Sequence, residues 1–275
     1  MVAHPKQAGA AAAPAAEGGV SRVLPRRRPH RTQSDGPANR HEVTAEAPFR
    51  IFIGYEPREA VAFSVLAHSI HARASVPVAI TPLMLSQLKG RMWRERHPLQ
   101  STEFSFSRFL VPSLCGYRGW AMFMDCDMLM LDDIAELWSL RDDRYAVMVI
   151  KHNHVPPETQ KFLSEPQTRF EKKNWSSVML MNCARCTALT EDFVNSATGL
   201  ELHQFKWLGN DDLIGELPHR WNHLVDYDPP LPPEQLSNIH FTTGGPYFDE
   251  FRNCGYADLW FAERDRMLHA ANGSK

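Results

Sequence analysis

Three things are scarce in this 275-residue sequence, and each scarcity removes a class of function. No stretch reaches the roughly 18 uninterrupted apolar residues that a membrane-spanning helix requires, so no transmembrane segment is expected. Cysteine is limited to Cys115, Cys126, Cys183, Cys186 and Cys254. An odd, irregularly spaced set makes no disulfide framework and points to a reducing, cytoplasmic setting. Cys183 and Cys186 form a lone C-x-x-C, and a zinc site needs two further ligands, so both read as ordinary thiols. Positive charge is thin over most of the chain. Residues 1–47 hold seven Lys/Arg against four Asp/Glu, whereas the remainder holds 23 against 28, for a net −5. Phosphate backbones demand clustered basic surface, which excludes a nucleic-acid partner.

Residues 1–47 also have almost no large apolar side chains; Ala, Pro and Arg dominate. Such a segment cannot offset its ordering entropy, so a disordered tail is expected there, with one domain over 48–275. At 43% hydrophobic, the chain has material for a full core. Residues 49–55 read as a short strand ending in Gly54-Tyr55. Pro57 then opens a helix on which Val61, Val65, Leu66 and Ile70 recur with helical spacing. Residues 76–81 read as a second strand, closed by Pro82. The β–α–β order opens an α/β domain, and ligands in such sheets sit beyond the carboxyl ends of the strands, beside Gly54 and Tyr55. Residues 105–112 read as a short helix with Ser caps, stopped near Pro112 and carrying Arg108. Further on, 132–138 reads as a capped helix and 145–150 as a buried strand. That strand exits into a polar corner with His152 and His154, two histidines short of a third ligand. Residues 156–173 read as a polar loop on the acceptor side, 237–242 as a final strand and 256–269 as an amphipathic helix.

Against this background one stretch stands out. An apolar run, Ala121-Met122-Phe123-Met124, carries straight into Asp125-Cys126-Asp127 and resumes with Met128-Leu129. Ionised Asp is rarely buried without a partner, because an unpaired charge is costly to desolvate. In extended chain the side chains at i and i+2 leave the same face, so Asp125 and Asp127 can converge on one ion. Hard divalent cations take oxygen ligands and bridge carboxylates to substrate phosphates. His240, at the end of the last strand, supplies a third donor that favours Mn²⁺ over Mg²⁺. Such an ion acts as a Lewis acid on a diphosphate leaving group. Arg108 offers a guanidinium fork for an anion beside it. Gly244-Gly245 would let backbone approach a ligand closely.

The order of these features resembles a known family. Strand–Gly-Tyr, a helix with Arg108 and D-x-D at a strand end are followed by S-S-V-M-L-M-N ending at Asn182. N-D-D with L-P-x-x-W-N and I-H-F-T-x-G-G-P come last. Over roughly residues 50–260 the set is similar to nucleotide-sugar glycosyltransferases of the GT-A fold, family 8 in particular. That resemblance implies a single Rossmann-like α/β domain with a mixed, mostly parallel sheet flanked by helices. It implies hexosyl transfer with retention from a UDP-linked donor to a carbohydrate, glycolipid or protein acceptor, with Mn²⁺ or Mg²⁺. It maps the metal ligands onto Asp125, Asp127 and His240, and a donor-side basic residue onto Arg108. It places Asp211 close to the transferred sugar and Asn182 at the end of the family's N-S-G-V-x-L-x-N-like strand, so that Asp211, Asn182 and Arg108 are expected to be catalytic, with Gly54, Tyr55, Gly244 and Gly245 around the nucleotide. It further implies front-face displacement, in which the departing phosphate helps deprotonate the acceptor. Two departures are visible: Ser177 replaces a Gly, and the closing family Lys that grips the diphosphate is missing after His240. Arg108 or the Gly244-Gly245 backbone would take over that Lys's role.

Two other readings stand beside this one. A haloacid-dehalogenase-type phosphatase also carries a D-x-D after an apolar strand, but near the start of its domain and followed by Thr or Val. A non-catalytic sugar-nucleotide-binding protein would keep the pocket without the Lys.

Overall fold

The computed structural model describes residues 47–96, 100–152 and 172–269. The tail expected over 1–47, except its last residue, lies outside the described residues, as do His154 and nearly all of the 156–173 loop. The described elements fall in one unit, Glu46–Lys275.

β1 (Phe49–Gly54) leads into a 3-10 turn at Pro57–Glu59 and then α1 (Ala60–Arg73). Glu56 caps this entry by accepting from the Arg58 N–H, and Pro57 supplies the fixed φ of a first helical turn. β2 (Val78–Leu83) runs parallel to β1 and pairs Pro82 with Ile53. Pro82 therefore lies inside the strand and does not close it. β2 is an edge strand, where a residue with no N–H to donate is tolerated. The expected helix with Arg108 is three short pieces: α2 (Phe104–Ser107), a 3-10 turn at Arg108–Leu110 and α3 (Val111–Leu114). No Ser side chain caps α2, and Pro112 sits in the first turn of α3. In that position its missing N–H leaves no helical bond unmade, so it does not stop the helix.

β3 (Trp120–Met124) and β4 (Met128–Met130) lie on either side of the Asp pair and belong to different sheets. α4 (Ile134–Ser139) starts at Asp133, whose carboxylate accepts from Ala135 N. β5 (Val147–Val149), β6 (Val178–Asn182), α5 (Glu191–Ser196), α6 (Gly199–His203), β7 (Ile214–Glu216), β8 (His223–Leu224), β9 (Asn238–His240) and α7 (Ala257–His269) follow. β7 and β8 have no counterpart in the sequence reading.

The larger sheet has the order β2-β1-β3-β6-β5-β7; β6 runs antiparallel to both neighbours and the other pairs are parallel. The smaller sheet is β4-β9-β8. β1, β3, β5 and β6 are buried on both faces, which is why they read as continuous apolar runs. α1 bridges two cores: Leu66 and Ile70 join the large one, and Val65 joins Leu129, Ile239, Phe241 and Trp260 in the small one. Among the described residues no helix is long and apolar enough to cross a membrane.

Candidate metal centre

The site grows from the junction between the two sheets. The parallel pairing Ile53↔Met124 sets Gly54 and Tyr55 beside Asp125 at the carboxyl ends of β1 and β3. Asp125 N donates to Ser177 O at 2.9 Å, which ties the Asp pair to the amino end of β6. Past Asp127 the chain enters β4, where Met128 pairs with His240 of β9, and Phe241 N donates to Asp127 O at 2.8 Å. One ladder thus carries Asp127 and His240 into contact. Their side chains meet at 3.2 Å, His240 Nε2 to Asp127 Oδ1, and the donor atoms of Asp125, Asp127 and His240 all lie within 4.8 Å of one another.

The tautomer of His240 follows from its hydrogen bonds. Ser177 Oγ donates to Asn174 O at 2.6 Å and accepts from Asn222 Nδ2 at 2.8 Å. That fixes Asn222 Oδ1 toward His240 Nδ1 at 2.9 Å, so Nδ1 carries a proton and donates it. Nε2 is left facing a carboxylate. Either a second proton or a shared cation satisfies that pair, and an oriented imidazole with its far nitrogen bonded to a side-chain oxygen is how metal-binding histidines are held. Two carboxylates and one such imidazole fit a divalent cation of the Mn²⁺ or Mg²⁺ type. Asn222 is fully buried, and sequence reasoning gave it no role although it stands in the W-N pair.

Arg108 closes the other side. Its Nη1 reaches Asp125 Oδ1 at 2.8 Å and Ser176 O at 2.8 Å, and its Nε reaches Phe104 O at 3.3 Å. The guanidinium lies over the rings of Phe104 and Phe123, which shield it from water. No hydrogen bond of Nη2 is seen among the described residues, which leaves its donors available to an anion.

The extended geometry expected for Asp125-Cys126-Asp127 is not observed: these residues form a bend between β3 and β4, where the chain passes from one sheet to the other, and the Cys126 thiol lies 3.9 Å from Glu59 Oε2. Burial, then the negative charges of Glu59, Asp127 and Asp125, push the thiol well above its ordinary range, so it stays protonated. Tyr247 donates its hydroxyl to Glu59 Oε2 at 2.8 Å; burial, then the charges of Glu59 and Asp127, push its phenol up too.

Other expected site residues fall differently. Gly244 and Gly245 are buried under aromatic rings: an added Cβ would lie 2.5 Å from the Phe251 ring and 2.2 Å from that of Tyr247. Their smallness is explained by this packing, without any ligand. Gly54 is likewise pressed by Phe104, at 2.4 Å from an added Cβ. Tyr55 stands half-buried, edge-on to Phe63. Asn182 pairs with Trp120, at the start of β3. Because β6 runs antiparallel, this is the end remote from Asp125, five residues or about 16 Å away at a strand rise of about 3.3 Å per residue. The structure does not bring Asn182 to the centre, and its amide reaches Asp143 instead. Asp211 is exposed in the 3-10 turn before β7 and pairs with Lys172 at 2.6 Å. Lys172 Nζ also lies over the Trp175 ring, which brings Asp211 to the amino end of β6, the end next to Asp125.

No family model matches the sequence. Protein CDI of Arabidopsis thaliana is 50% identical over 228 residues, covering 79% of this chain and 86% of that protein. Among solved structures, the galactosyltransferase LgtC in complex with donor and acceptor sugar analogues is similar at TM-score 0.51 and 12% identity. That match covers 79% of this chain and 95% of LgtC. The glycosyltransferase GlyE of Streptococcus pneumoniae is similar at TM-score 0.54 and 12% identity over 81% of this chain. The bifunctional glycosyltransferase WbbM reaches TM-score 0.50 at 13% identity over 82% of this chain. The chain spans 63% of GlyE and about half, 51%, of WbbM. These likenesses establish the fold as that of GT-A-type glycosyltransferases.

Proposed function

The chain belongs to the family of Arabidopsis thaliana Protein CDI, and we propose, on its fold and its site, that it is a metal-dependent glycosyltransferase using a nucleotide-sugar donor. One observation carries the reading: Asp125, Asp127 and an Asn222-oriented His240 converge at the strand ends, with Arg108 on Asp125. We assign the donor as UDP-linked and the reaction as hexosyl transfer with retention, on the resemblance to family 8. The acceptor is a carbohydrate, glycolipid or protein, and the setting cytoplasmic.

Asp125, Asp127 and His240 would hold Mn²⁺ or Mg²⁺. When bound, the ion supplies Lewis-acid stabilisation of charge on the departing diphosphate. Arg108, held beside Asp125 by its Nη1, would offer its Nη2 donors to the same anion and take the place of the missing family Lys. Gly54 and Tyr55 line the nucleotide end of the pocket, where the Tyr55 ring offers a face for a base. At the amino end of β6, Asp211 and Lys172 stand where they can orient sugar hydroxyls. Asn222 and Ser177 hold His240 in the tautomer that leaves Nε2 toward the carboxylates.

The test is release of free nucleoside diphosphate from a panel of UDP- and GDP-sugars by the full chain with Mn²⁺. We expect turnover that Asp127→Asn and His240→Ala abolish while circular dichroism stays unchanged. Release of inorganic phosphate would instead mark a phosphatase. Donor binding without turnover against any acceptor would mark a non-catalytic sugar-nucleotide-binding protein.

A further inference from the structure

A second set of donor atoms stands beside β8. His152 follows β5, His219 opens the 3-10 turn that precedes β8, and Asp228 follows β8. One donor atom from each lies within 4.8 Å of the other two. His219 Nε2 is 3.7 Å from Asp228 Oδ2, and the rings of His152 and His219 meet edge to face with centroids 4.8 Å apart. A fourth donor faces the same oxygen: His223 Nδ1 lies 3.8 Å from Asp228 Oδ2. The Tyr256 hydroxyl occupies the other nitrogen of His223 at 3.3 Å, and Nδ1 is buried with no hydrogen-bond partner. Leu224 N donates to Asp228 Oδ2 at 2.7 Å and anchors the carboxylate at the middle of the set.

The separations decide between two explanations. At 3.7 and 3.8 Å the His–Asp contacts are too long for hydrogen bonds. Ligand bonds of about 2.0–2.2 Å in a tetrahedral site place donor atoms about 3.3 Å apart, so small side-chain movements bring this set into register around an ion. We propose that His152, His219 and Asp228, with His223 beside them, form a second metal site for a divalent transition-metal ion of the zinc type. Imidazole-rich donors select such an ion, whereas the two-carboxylate centre at Asp125 suits a harder one. The ion would tie His152, three residues past β5, to the segment 219–228, which also carries Asn222.

This assignment does not depend on sugar transfer, and its test reads metal alone. Chelator-stripped full chain is titrated with Zn²⁺ under a competing chelator dye, and with Co²⁺ while its visible ligand-field absorption is recorded. We expect one tightly held Zn²⁺ and an intense Co²⁺ band in both the wild type and Asp127→Ala. His219→Ala should lose the band and at least about tenfold in Zn²⁺ affinity. His219 is about half exposed, so its variant keeps the fold; Asp228→Asn gives a second reading of the same site. Equal Zn²⁺ affinity in His219→Ala and wild type overturns the proposal. Loss of all Zn²⁺ binding in Asp127→Ala overturns it equally.

Discussion

Replacing Asn222 by alanine removes two hydrogen bonds from a fully buried position: Oδ1 accepting from His240 Nδ1 at 2.9 Å, and Nδ2 donating to Ser177 Oγ at 2.8 Å. Ser177 keeps its own bond to Asn174 O, so the serious loss is at His240, whose Nδ1–H is left buried without an acceptor. An unsatisfied buried donor costs about 1–3 kcal/mol of stability. The ring also becomes free to rotate or change tautomer. Loss of a group that orients a metal-binding histidine lowers affinity about 10–100-fold, or about 1.4–2.7 kcal/mol. Asn222→Asp supplies a carboxylate that still accepts from Nδ1 and makes the imidazole more basic, so Mn²⁺ affinity should stay close to wild type. Electron paramagnetic resonance of the free aquo ion during a Mn²⁺ titration measures both variants, with circular dichroism as the fold control. A folded Asn222→Ala chain that binds Mn²⁺ within about threefold of wild type would refute this reasoning.

Three further outcomes follow from the packing and charge. Gly245→Ala puts a Cβ 2.2 Å from the Tyr247 ring, so Tyr247 must swing away from Glu59; thermal unfolding should show a loss of about 1–3 kcal/mol. Arg108→Met leaves Asp125 without its guanidinium partner and Ser176 O without its donor, a loss of about 3–5 kcal/mol for a buried pair. Saturating Mn²⁺ should therefore raise the melting temperature of Arg108→Met more than that of wild type. Glu263 on α7 holds α1 through His68 and Arg73. Burial alone would raise its pKa, but bonds to Arg73 and His68 and the charge of Arg266 hold it below its usual 4.5. A depressed carboxylate stabilises above its unfolded value and loses that contribution as pH falls through the folded one. Glu263→Gln should thus flatten the fall of the urea midpoint below pH about 4.5.

The Asp pair was legible because two charges inside an apolar run violate the burial rule wherever the run is extended. β1, α1 and β9 were legible from period and punctuation, and His240 from its place at a strand end. Pro82 and Pro112 misled because a proline's effect depends on an edge position or a first helical turn, which local sequence does not display. β7 and β8, of three and two residues, are too short for any two-residue alternation to register. Asn182 was misplaced because strand direction comes from pairing partners far along the chain: nothing within V-M-L-M-N says that β6 runs against β3. Asn222 was visible as a letter, but its role exists only where β9 brings His240 beside it.

The pairing of Met128 with His240 has a thermodynamic consequence for the smaller sheet. A one-residue slip of β9 against β4 would turn His240 to the opposite face and break its meeting with Asp127. A cation gripped by both strands would therefore favour the native register over every slipped one. At a hundred times its dissociation constant, such a ligand adds about 2.7 kcal/mol to the state it recognises. Strands of only two and three residues would then draw their fidelity from an ion as well as from their few ladder bonds. Hydrogen exchange at the Phe241 amide, which donates to Asp127 O, would report occupancy directly.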